Sequence, residues 1–226
     1  MKKIFLTLML CIAALPAIVS CSDDDELPTE VNPSSEGIFT DTDGNVYRTV
    51  KYGSQEWLAD NYRGGMPWVE QSYLTDNGIE NWFEDYYYID EEEEIIASEG
   101  NYMTWQQALD NCPEGWRLPT DDDWKQLETL MGVSDVDATG WRNGGGVPMM
   151  AVTGLHLTLR GALHALSTSR YVKCNVGDFG YYWTATKDTS MTTDYAYIRK
   201  VMYCKNQVMR ISMPTKRFAM VRYIKK

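Results

Sequence analysis

The chain has 226 residues, of which 44% are hydrophobic and 12% aromatic, so it can bury the core of one large domain or of two small ones. Its formal net charge of −11 disfavours binding to nucleic acid, because an acidic surface repels the phosphate backbone. The two histidines, His156 and His164, leave few candidates for a histidine-based catalytic or metal site.

The N-terminal segment is typical of a secretory signal peptide. Lys2 and Lys3 precede an apolar run from Ile4 to about Val19, which is too short to span a bilayer comfortably. The run ends in Val19-Ser20-Cys21, which resembles the lipobox of bacterial lipoproteins. We therefore expect residues 1–20 to be removed and Cys21 to be acylated, so that the lipid anchors the chain to a membrane. The alternative is ordinary cleavage, in which Cys21 has no role.

Residues 21–37 predict a flexible linker, because they are rich in Pro, Ser, Asp and Glu and carry almost nothing apolar. The run from Ser22 to Glu26 is similar to the export signal that sends Bacteroides-type lipoproteins to the outer face of the outer membrane. The expected location is therefore the outer membrane, with a domain over residues 38–226 facing the cell exterior.

The domain begins with a predicted β-hairpin. Ile38-Phe39 and the alternating segment 46–50 flank Asp43-Gly44, which favours a type I′ turn. Residues 41–45 also imitate the start of a calcium loop, but Gly44 lies at loop position four instead of six, and position twelve has no Glu. The hairpin is therefore the better interpretation.

Two helices are predicted from capping residues and apolar periodicity. Thr104 and Gln107 form a capping box, Pro113 ends the first helix, and Thr120 caps a second helix whose first turn contains three aspartates. The apolar face of the first helix comprises Trp105, Ala108, Leu109 and Cys112, and that of the second comprises Trp124, Leu127, Leu130 and Met131.

The C-terminal half is predicted to form strands, which Gly, Asp, Asn and Pro separate. These strands span residues 155–163, 181–186, 195–202, 207–211 and 217–224. Two helices followed by an antiparallel meander predict an α+β fold.

Several stretches together resemble the Fibrobacter succinogenes major paralogous domain. They are Asp43 to Asn61, Tyr102 to Thr120 with its Cys-Pro-Glu-Gly-Trp-Arg-Leu-Pro core, Gly180 to Thr186, and Arg217 to Arg222. The resemblance covers about residues 38–226. It implies a C-type-lectin-like fold, with two helices packed on a twisted antiparallel sheet and long irregular loops, in secreted or lipid-anchored surface proteins.

The cysteines depart from that family's pattern. The family's closing strand usually carries a cysteine that pairs with the one at Cys112, whereas here that position holds Tyr223. Cys174 and Cys204 are equally distant from Thr189, so a hairpin of the segments 181–186 and 195–202 would bring them opposite each other. We predict a Cys174–Cys204 disulfide, and a buried Cys112 thiol on an apolar helix face.

Two segments are candidate ligand-binding surfaces. Residues 64–101 combine aromatic side chains with the carboxylates of residues 90–94, a combination that binds sugars and protein partners; the alternative is a lid over the core with a solvated acidic flank. The glycines of the segment 141–146 would let a ligand approach the backbone; the alternative is a plain flexible loop. The candidate residues are Trp68, Trp82, Tyr86, Tyr87, Trp141, Arg142 and Asn143.

No catalytic residue, metal site or cofactor is predicted. His164, Ser167 and Ser169 lack the nucleophile elbow and the orienting acid of a hydrolase, and the Glu-Pro-Asn and Trp-Asn-Asp tripeptides of calcium-dependent lectins do not occur. We therefore expect a non-catalytic, membrane-anchored binding module for an extracellular glycan or protein. The alternatives are a self-assembling fimbrial or matrix component and a degenerate enzyme of formylglycine-generating-like fold.

Overall fold

The computed structural model describes residues 31–64, 100–167 and 170–226, with the backbone alone over 164–167 and 170–174. The predicted signal peptide, the lipidation site Cys21 and the candidate ligand-binding residues Trp68, Trp82, Tyr86 and Tyr87 lie outside the described residues. Within the described ranges, no helix is both long and apolar enough to cross a membrane.

The described residues form antiparallel sheets and short helices. In chain order the elements are β1 Ser35–Thr40, β2 Val46–Tyr52, β3 Gln55–Leu58, α1 Trp105–Asp110, β4 Trp116–Arg117, α2 Asp121–Leu130, β5 Gly140–Asn143, α3 Gly146–Met150, β6 Ala162–Ser167, β7 Arg170–Cys174, β8 Phe179–Lys187, β9 Tyr195–Met202, β10 Gln207–Pro214 and β11 Ile224–Lys225. They build a five-stranded sheet in the order β1-β2-β3-β11-β4, a four-stranded sheet in the order β5-β10-β9-β8, and the hairpin β6-β7. This mixture of helices and antiparallel sheets agrees with the predicted α+β class.

The predicted N-terminal hairpin is present, but its turn differs from the prediction. Strands β1 and β2 pair up to Thr40 and Val46, and Gly44 alone between them has a positive φ, 85°, whereas a type I′ turn needs two such residues. The Asp41 carboxylate accepts hydrogen bonds from the backbone N–H groups of Asp43 and Asn45 at 3.0 and 2.9 Å. A side chain therefore stabilises a longer turn. Strand β1 also begins at Ser35, within the predicted linker.

The predicted capping box of Thr104 and Gln107 is present, and the predicted cap Thr120 forms a second capping box, with Asp123. In α2, Trp124, Leu127 and Met131 are buried as predicted. The prediction for Leu130 is wrong, because this side chain lies off the edge of the buried face and is 49% exposed.

Of the strand predicted over residues 155–163, only Ala162 and Leu163 are in a strand, at the start of β6. His156 has a φ of 53°, which an extended strand cannot contain. The Tyr182 hydroxyl accepts from the Thr158 N–H at 2.6 Å and donates to the Thr158 carbonyl at 2.8 Å, and Arg222 donates to the His156 carbonyl at 2.5 Å. Side chains thus satisfy this backbone in place of a neighbouring strand.

Further along the chain, the predicted meander is confirmed as β8, β9 and β10. The strand predicted over 217–224 shrinks to β11, preceded by isolated bridges at Phe218, Ala219 and Met220. The hairpin β6-β7 and helix α3 were not predicted.

Two apolar clusters form the core. One lies between α2 and the inner faces of the two larger sheets, and includes Trp57, Trp124, Tyr182 and Val208. The other packs around α1 and includes Tyr47, Ala108, Trp183 and Tyr223. Because each cluster draws on both ends of the described chain, the two larger sheets are held in one compact unit.

Candidate functional site

The four-stranded sheet carries a row of aromatic and long side chains on its outer face. Four residues on neighbouring strands lie side by side in this row. Trp141 on β5 pairs with Met209 on β10, Met209 pairs with Lys200 on β9, and Lys200 pairs with Tyr181 on β8. Trp141 is 37% exposed, and the other three side chains are half-buried. We call these four residues, together with the adjacent Phe179, the platform.

The platform is organised around the Lys200 ammonium. Its Nζ atom lies 3.5 Å from the centroid of the Phe179 ring, 5.0 Å from that of Tyr181 and 5.7 Å from that of Trp141. The Phe179 ring is 6.3 Å from Trp141 and 6.2 Å from Tyr181, centroid to centroid. These distances are those of cation–π and aromatic pairs, so the rings hold the ammonium among them.

Polar groups border the platform at two points. Gln207 donates from Nε2 to Oδ1 of Asn143 at 2.7 Å, next to Trp141. Asn175, whose φ is 59°, donates from Nδ2 to the Tyr181 hydroxyl at 2.9 Å. These amides give the platform hydrogen-bonding groups beside its rings, as a sugar or peptide ligand requires.

The inner face of the same strands carries a buried charge cluster. Successive strand residues point to opposite faces, so the platform residues Trp141, Lys200 and Met209 adjoin Arg142, Arg199 and Arg210 in the chain. All three arginines are buried, and they bind two carboxylates of α2, Asp121 and Glu128.

Glu128 is held by two of these arginines. Arg142 donates to both of its carboxylate oxygens, at 2.6 and 2.8 Å, and Arg199 donates from Nε to Oε1. This geometry fixes β5 and β9 to α2, and the strands that carry the platform are therefore anchored from beneath.

Asp121 joins α2 to β9 and β10. Arg199 donates to its Oδ1 atom at 2.8 Å, and Arg210 donates to Oδ1 and Oδ2 at 2.9 and 2.8 Å. Burial alone would raise the pKa of Asp121, but the hydrogen bonds and positive charges of the two arginines outweigh it and hold that pKa well below its usual value. The carboxylate stays ionised, as the pairing requires.

The platform occupies one end of its face because the other end is covered. Trp183, Ile198 and Met213 lie further along the same strands and belong to the apolar cluster that includes Ala108 of α1. Among the described residues, α1 packs on that end, and the partly exposed rings of the platform lie at the other end, near Trp141 and Phe179.

The glycines after β5 serve packing. A Cβ atom on Gly144 would lie 2.0 Å from the carbonyl oxygen of Gly132, and one on Gly146 would lie 2.6 Å from the backbone nitrogen of Gln207. Gly144 also donates to the Asn206 carbonyl at 2.7 Å. The segment therefore packs closely against neighbouring backbone, which explains why these positions are glycines without a ligand.

Of the candidate ligand-binding residues, the structure brings Trp141 and Asn143 to the platform and its border. Arg142 lies in the core, bound to Glu128, and its guanidinium faces no ligand-accessible surface; strand alternation separates it from its neighbours. Sequence reasoning missed Phe179, Tyr181, Lys200 and Met209. The alternation of Tyr181 with the buried Tyr182 indicates that the strand has two different faces. It does not indicate which part of each face is covered by other elements.

The predicted disulfide is not formed. Cys204 is an exposed free cysteine. Cys174 ends β7 opposite Ala162 of β6, so it belongs to a different hairpin, and equal spacing from Thr189 does not make the two cysteines register partners.

Cys112 is a free, half-buried thiol that lies just beyond the end of α1, not on the helix itself. Burial raises its pKa to about 11. In place of the family's partner cysteine, the fully buried Tyr223 donates from its hydroxyl to the Ala108 carbonyl at 2.6 Å. A hydrogen bond thus links the C-terminal segment to α1.

A separate cleft of about 420 Å³ lies beside Cys112. It is lined by residues 39–43, Tyr62 and residues 110–114. The Asp41 carboxylate on its wall is engaged by the β1–β2 turn and by the Tyr47 hydroxyl at 2.8 Å. The hydrogen bonds of the Asp41 carboxylate therefore stabilise the hairpin, and its position on the cleft wall is explained without a ligand.

Among the described residues there is no group of three or more His, Cys, Asp or Glu side chains that could hold a metal ion.

Comparison with known proteins identifies a family. Neither the curated proteins nor the solved structures give a significant match. A family model described as the Fibrobacter succinogenes major domain matches residues 50–225, which is more than half of the chain. The chain therefore belongs to the Fibrobacter succinogenes major domain family.

Proposed function

We propose that this chain is a lipoprotein anchored at the cell surface, and that its domain over residues 38–226 is a non-catalytic binding module for an extracellular glycan or protein. The observation that carries the proposal is the platform, a row of partly exposed rings around Lys200 on a sheet anchored by buried ion pairs. Aromatic side chains on rigid elements supply contact area with little loss of conformational entropy on binding.

The proposal also includes a C-type-lectin-like arrangement of the domain. Its support is membership of the family together with the α+β architecture, in which two capped helices pack on antiparallel sheets. A fold does not assign a ligand, so the binding surface is argued from the platform alone.

The non-catalytic part of the proposal is supported by Cys112. A nucleophilic cysteine needs a lowered pKa, whereas burial raises the pKa of this thiol to about 11. At neutral pH the group is an uncharged thiol and a poor nucleophile.

Binding is tested with residues 22–226 on an array of glycans. We expect retention on particular glycans that Trp141→Ala abolishes, because this change removes the most exposed ring of the platform. Ile38→Ala is a matched control, since Ile38 is an exposed apolar residue on β1, in the other sheet. An array that stays blank, with and without added calcium, together with no protein ligand that depends on Trp141, would exclude the module.

The anchor is tested by Cys21→Ala. We expect the wild-type chain to partition with membranes and to incorporate labelled fatty acid, and the variant to do neither. Unchanged partitioning without acyl label would contradict the lipoprotein assignment.

One observation favours self-assembly as a second candidate function. Strand β1 is at the edge of its sheet among the described strands, and Ile38 on it is 76% exposed. Edge strands are templates for pairing with another chain. Concentration-dependent oligomers that Ile38→Lys dissolves, and that Trp141→Ala leaves intact, would support this candidate.

A further inference from the structure

The cleft beside Cys112, which we call the acidic cleft, is negatively charged. Its lining includes no Lys, Arg or His, and it contains four carboxyl groups, those of Asp41, Asp43, Asp110 and Glu114. Burial raises the pKa of the Cys112 thiol to about 11, although Lys226 and Arg117 lower it from outside the lining, so the thiol adds no charge at neutral pH. Arg117 is itself paired with Asp123. Within the described ranges, none of the four lining carboxylates is in an ion pair.

The carboxylates of the acidic cleft differ in what already binds them. Asp41 is occupied by the β1–β2 turn, and Asp110 accepts a hydrogen bond from Gln106 at 2.8 Å. The side chains of Asp43 and Glu114 are exposed and have no hydrogen-bond partner among the described residues. Each side of the cleft, the β1–β2 turn and the segment after α1, therefore presents one carboxylate that no interaction within the described chain uses.

Tyr62 brings an unpaired hydroxyl to the same cleft. Its side chain is only 5% exposed and packs against the rings of Tyr47 and Tyr223 at 5.5 and 4.9 Å, yet the hydroxyl makes no hydrogen bond within the part of the chain that the structure describes. Burial and the negative charges of Asp41 and Asp43 raise the pKa of Tyr62 to about 12, so this hydroxyl is neutral and lies close to the carboxylates of the cleft. An unpaired hydroxyl on a buried side chain is costly, and a ligand that reaches it removes that cost.

The spacing of the carboxylates favours an extended cation. No three acidic, Cys or His side chains of the described residues are close enough together to hold a metal ion. A chain that carries several ammonium groups can instead reach a carboxylate on each side of the cleft, and each ammonium has three N–H donors. The volume of about 420 Å³ is that of a small-molecule site, and the rings of Phe39 and Tyr62 in its lining provide apolar surface for methylene groups.

We propose that the acidic cleft binds a linear oligoamine, a chain of methylene groups with two or more ammonium groups. One ammonium group pairs with Asp43 and another with Glu114, and an N–H of the bound chain donates to the Tyr62 hydroxyl oxygen. This site is separate from the platform, and the inference does not depend on the proposed binding of a glycan or protein.

The experiment uses the purified full-length chain in detergent and calorimetry at low salt, with spermidine as the probe. We expect saturable binding of one spermidine per chain. Butylamine, which has one ammonium group, should bind about tenfold or more weakly, and octanediol, which has a similar length and no charge, should not bind. Magnesium chloride tests whether any small cation is sufficient, and it should show no saturable binding.

Substitutions then locate the site. Asp43→Asn and Glu114→Gln should each weaken spermidine binding about threefold, and the double variant about tenfold. Glu36→Gln is the matched control, because Glu36 is an exposed acidic residue on β1 that does not line the cleft, and this variant should bind as the wild type does.

Tyr62→Phe tests the hydroxyl separately from the fold. It keeps the ring, and because the hydroxyl has no partner among the described residues, the variant should unfold at the wild-type temperature without spermidine. With spermidine, its affinity should be lower about threefold or more. A lower unfolding temperature with unchanged affinity would mean that the hydroxyl is structural and would overturn its role in binding.

Three results would overturn the oligoamine site. They are the absence of saturable spermidine binding, an equal loss of affinity in Glu36→Gln and Glu114→Gln, and a magnesium ion that binds with one-to-one stoichiometry and competes with spermidine. None of them changes the retention of the chain on a glycan array or its dependence on Trp141, so the binding module is tested independently.

Discussion

Trp141 and Arg142 are neighbours in β5 with opposite environments. The Trp141 ring is on the outer face of the sheet, 6.3 Å from that of Phe179, whereas the Arg142 guanidinium is buried and donates two hydrogen bonds to Glu128. The same alternation separates Lys200 from Arg199 and Met209 from Arg210. The proposed binding surface and the buried ion-pair cluster therefore alternate along the same strands.

This arrangement predicts that stability and binding separate by strand position. Glu128→Gln removes the carboxylate that Arg142 binds and one of the two that Arg199 binds, and we expect the free energy of unfolding to fall by about 3–5 kcal/mol. Trp141→Ala should lower it by less than about 1 kcal/mol, since the ring is partly solvated. Urea unfolding measures both. Equal losses in the two variants would show that the outer row is part of the core.

Acid should weaken the cluster through Asp121. The folded-state pKa of this carboxyl lies below its unfolded value of about 3.9, so its contribution to stability is complete above that pH and is lost as the pH falls towards the folded-state pKa. We expect the free energy of unfolding to decline between about pH 4 and pH 2. Asp121→Asn should be less stable at neutral pH and should show a shallower decline.

The control for that titration is Asp122→Asn, in the same turn of α2. The Asp122 side chain is largely exposed, and its Lys125 partner also contacts Asp121 and Asp137. This variant should keep the wild-type decline. A decline of equal steepness in Asp121→Asn would exclude Asp121 as its source.

Tyr223→Phe should cost about 1 kcal/mol of the free energy of unfolding, because it leaves the buried Ala108 carbonyl without its donor. Tyr203→Phe is the comparison, since Tyr203 is exposed and water replaces what its hydroxyl loses. Thermal or urea unfolding gives both values. A Tyr223→Phe variant as stable as the wild type would mean that this link to α1 is not stabilising.

The cysteines should differ in reactivity. At pH 8 the exposed Cys204 should react rapidly with a thiol reagent in the native protein, whereas Cys112, with a pKa raised to about 11 by burial, should react slowly. Cys112→Ser and Cys204→Ser assign the sites by mass spectrometry. If Cys204 reacted only after a reductant is added, this result would contradict the prediction, because it would mean that Cys204 is in a disulfide.

Local interactions made much of the fold predictable. The capping boxes at Thr104 and Thr120 lie within four consecutive residues each, so their hydrogen bonds are visible in the sequence. The strand prediction for the segment 155–161 was wrong because the backbone there is hydrogen-bonded by the side chains of Tyr182 and Arg222, which are distant in the chain. Propensity carries no information about such partners.

By itself, the sequence determined the α+β class, the meander and the family, since periodicity, caps and motifs are properties of neighbouring residues. Tertiary structure decided which side chains form the platform. Strand alternation makes Trp141, Lys200 and Tyr181 share a face with Trp183, but the packing of α1 against Trp183, at the far end of that face, depends on contacts between distant segments. Burial is set by what packs against a residue, and the packing partners come from segments far apart in the chain.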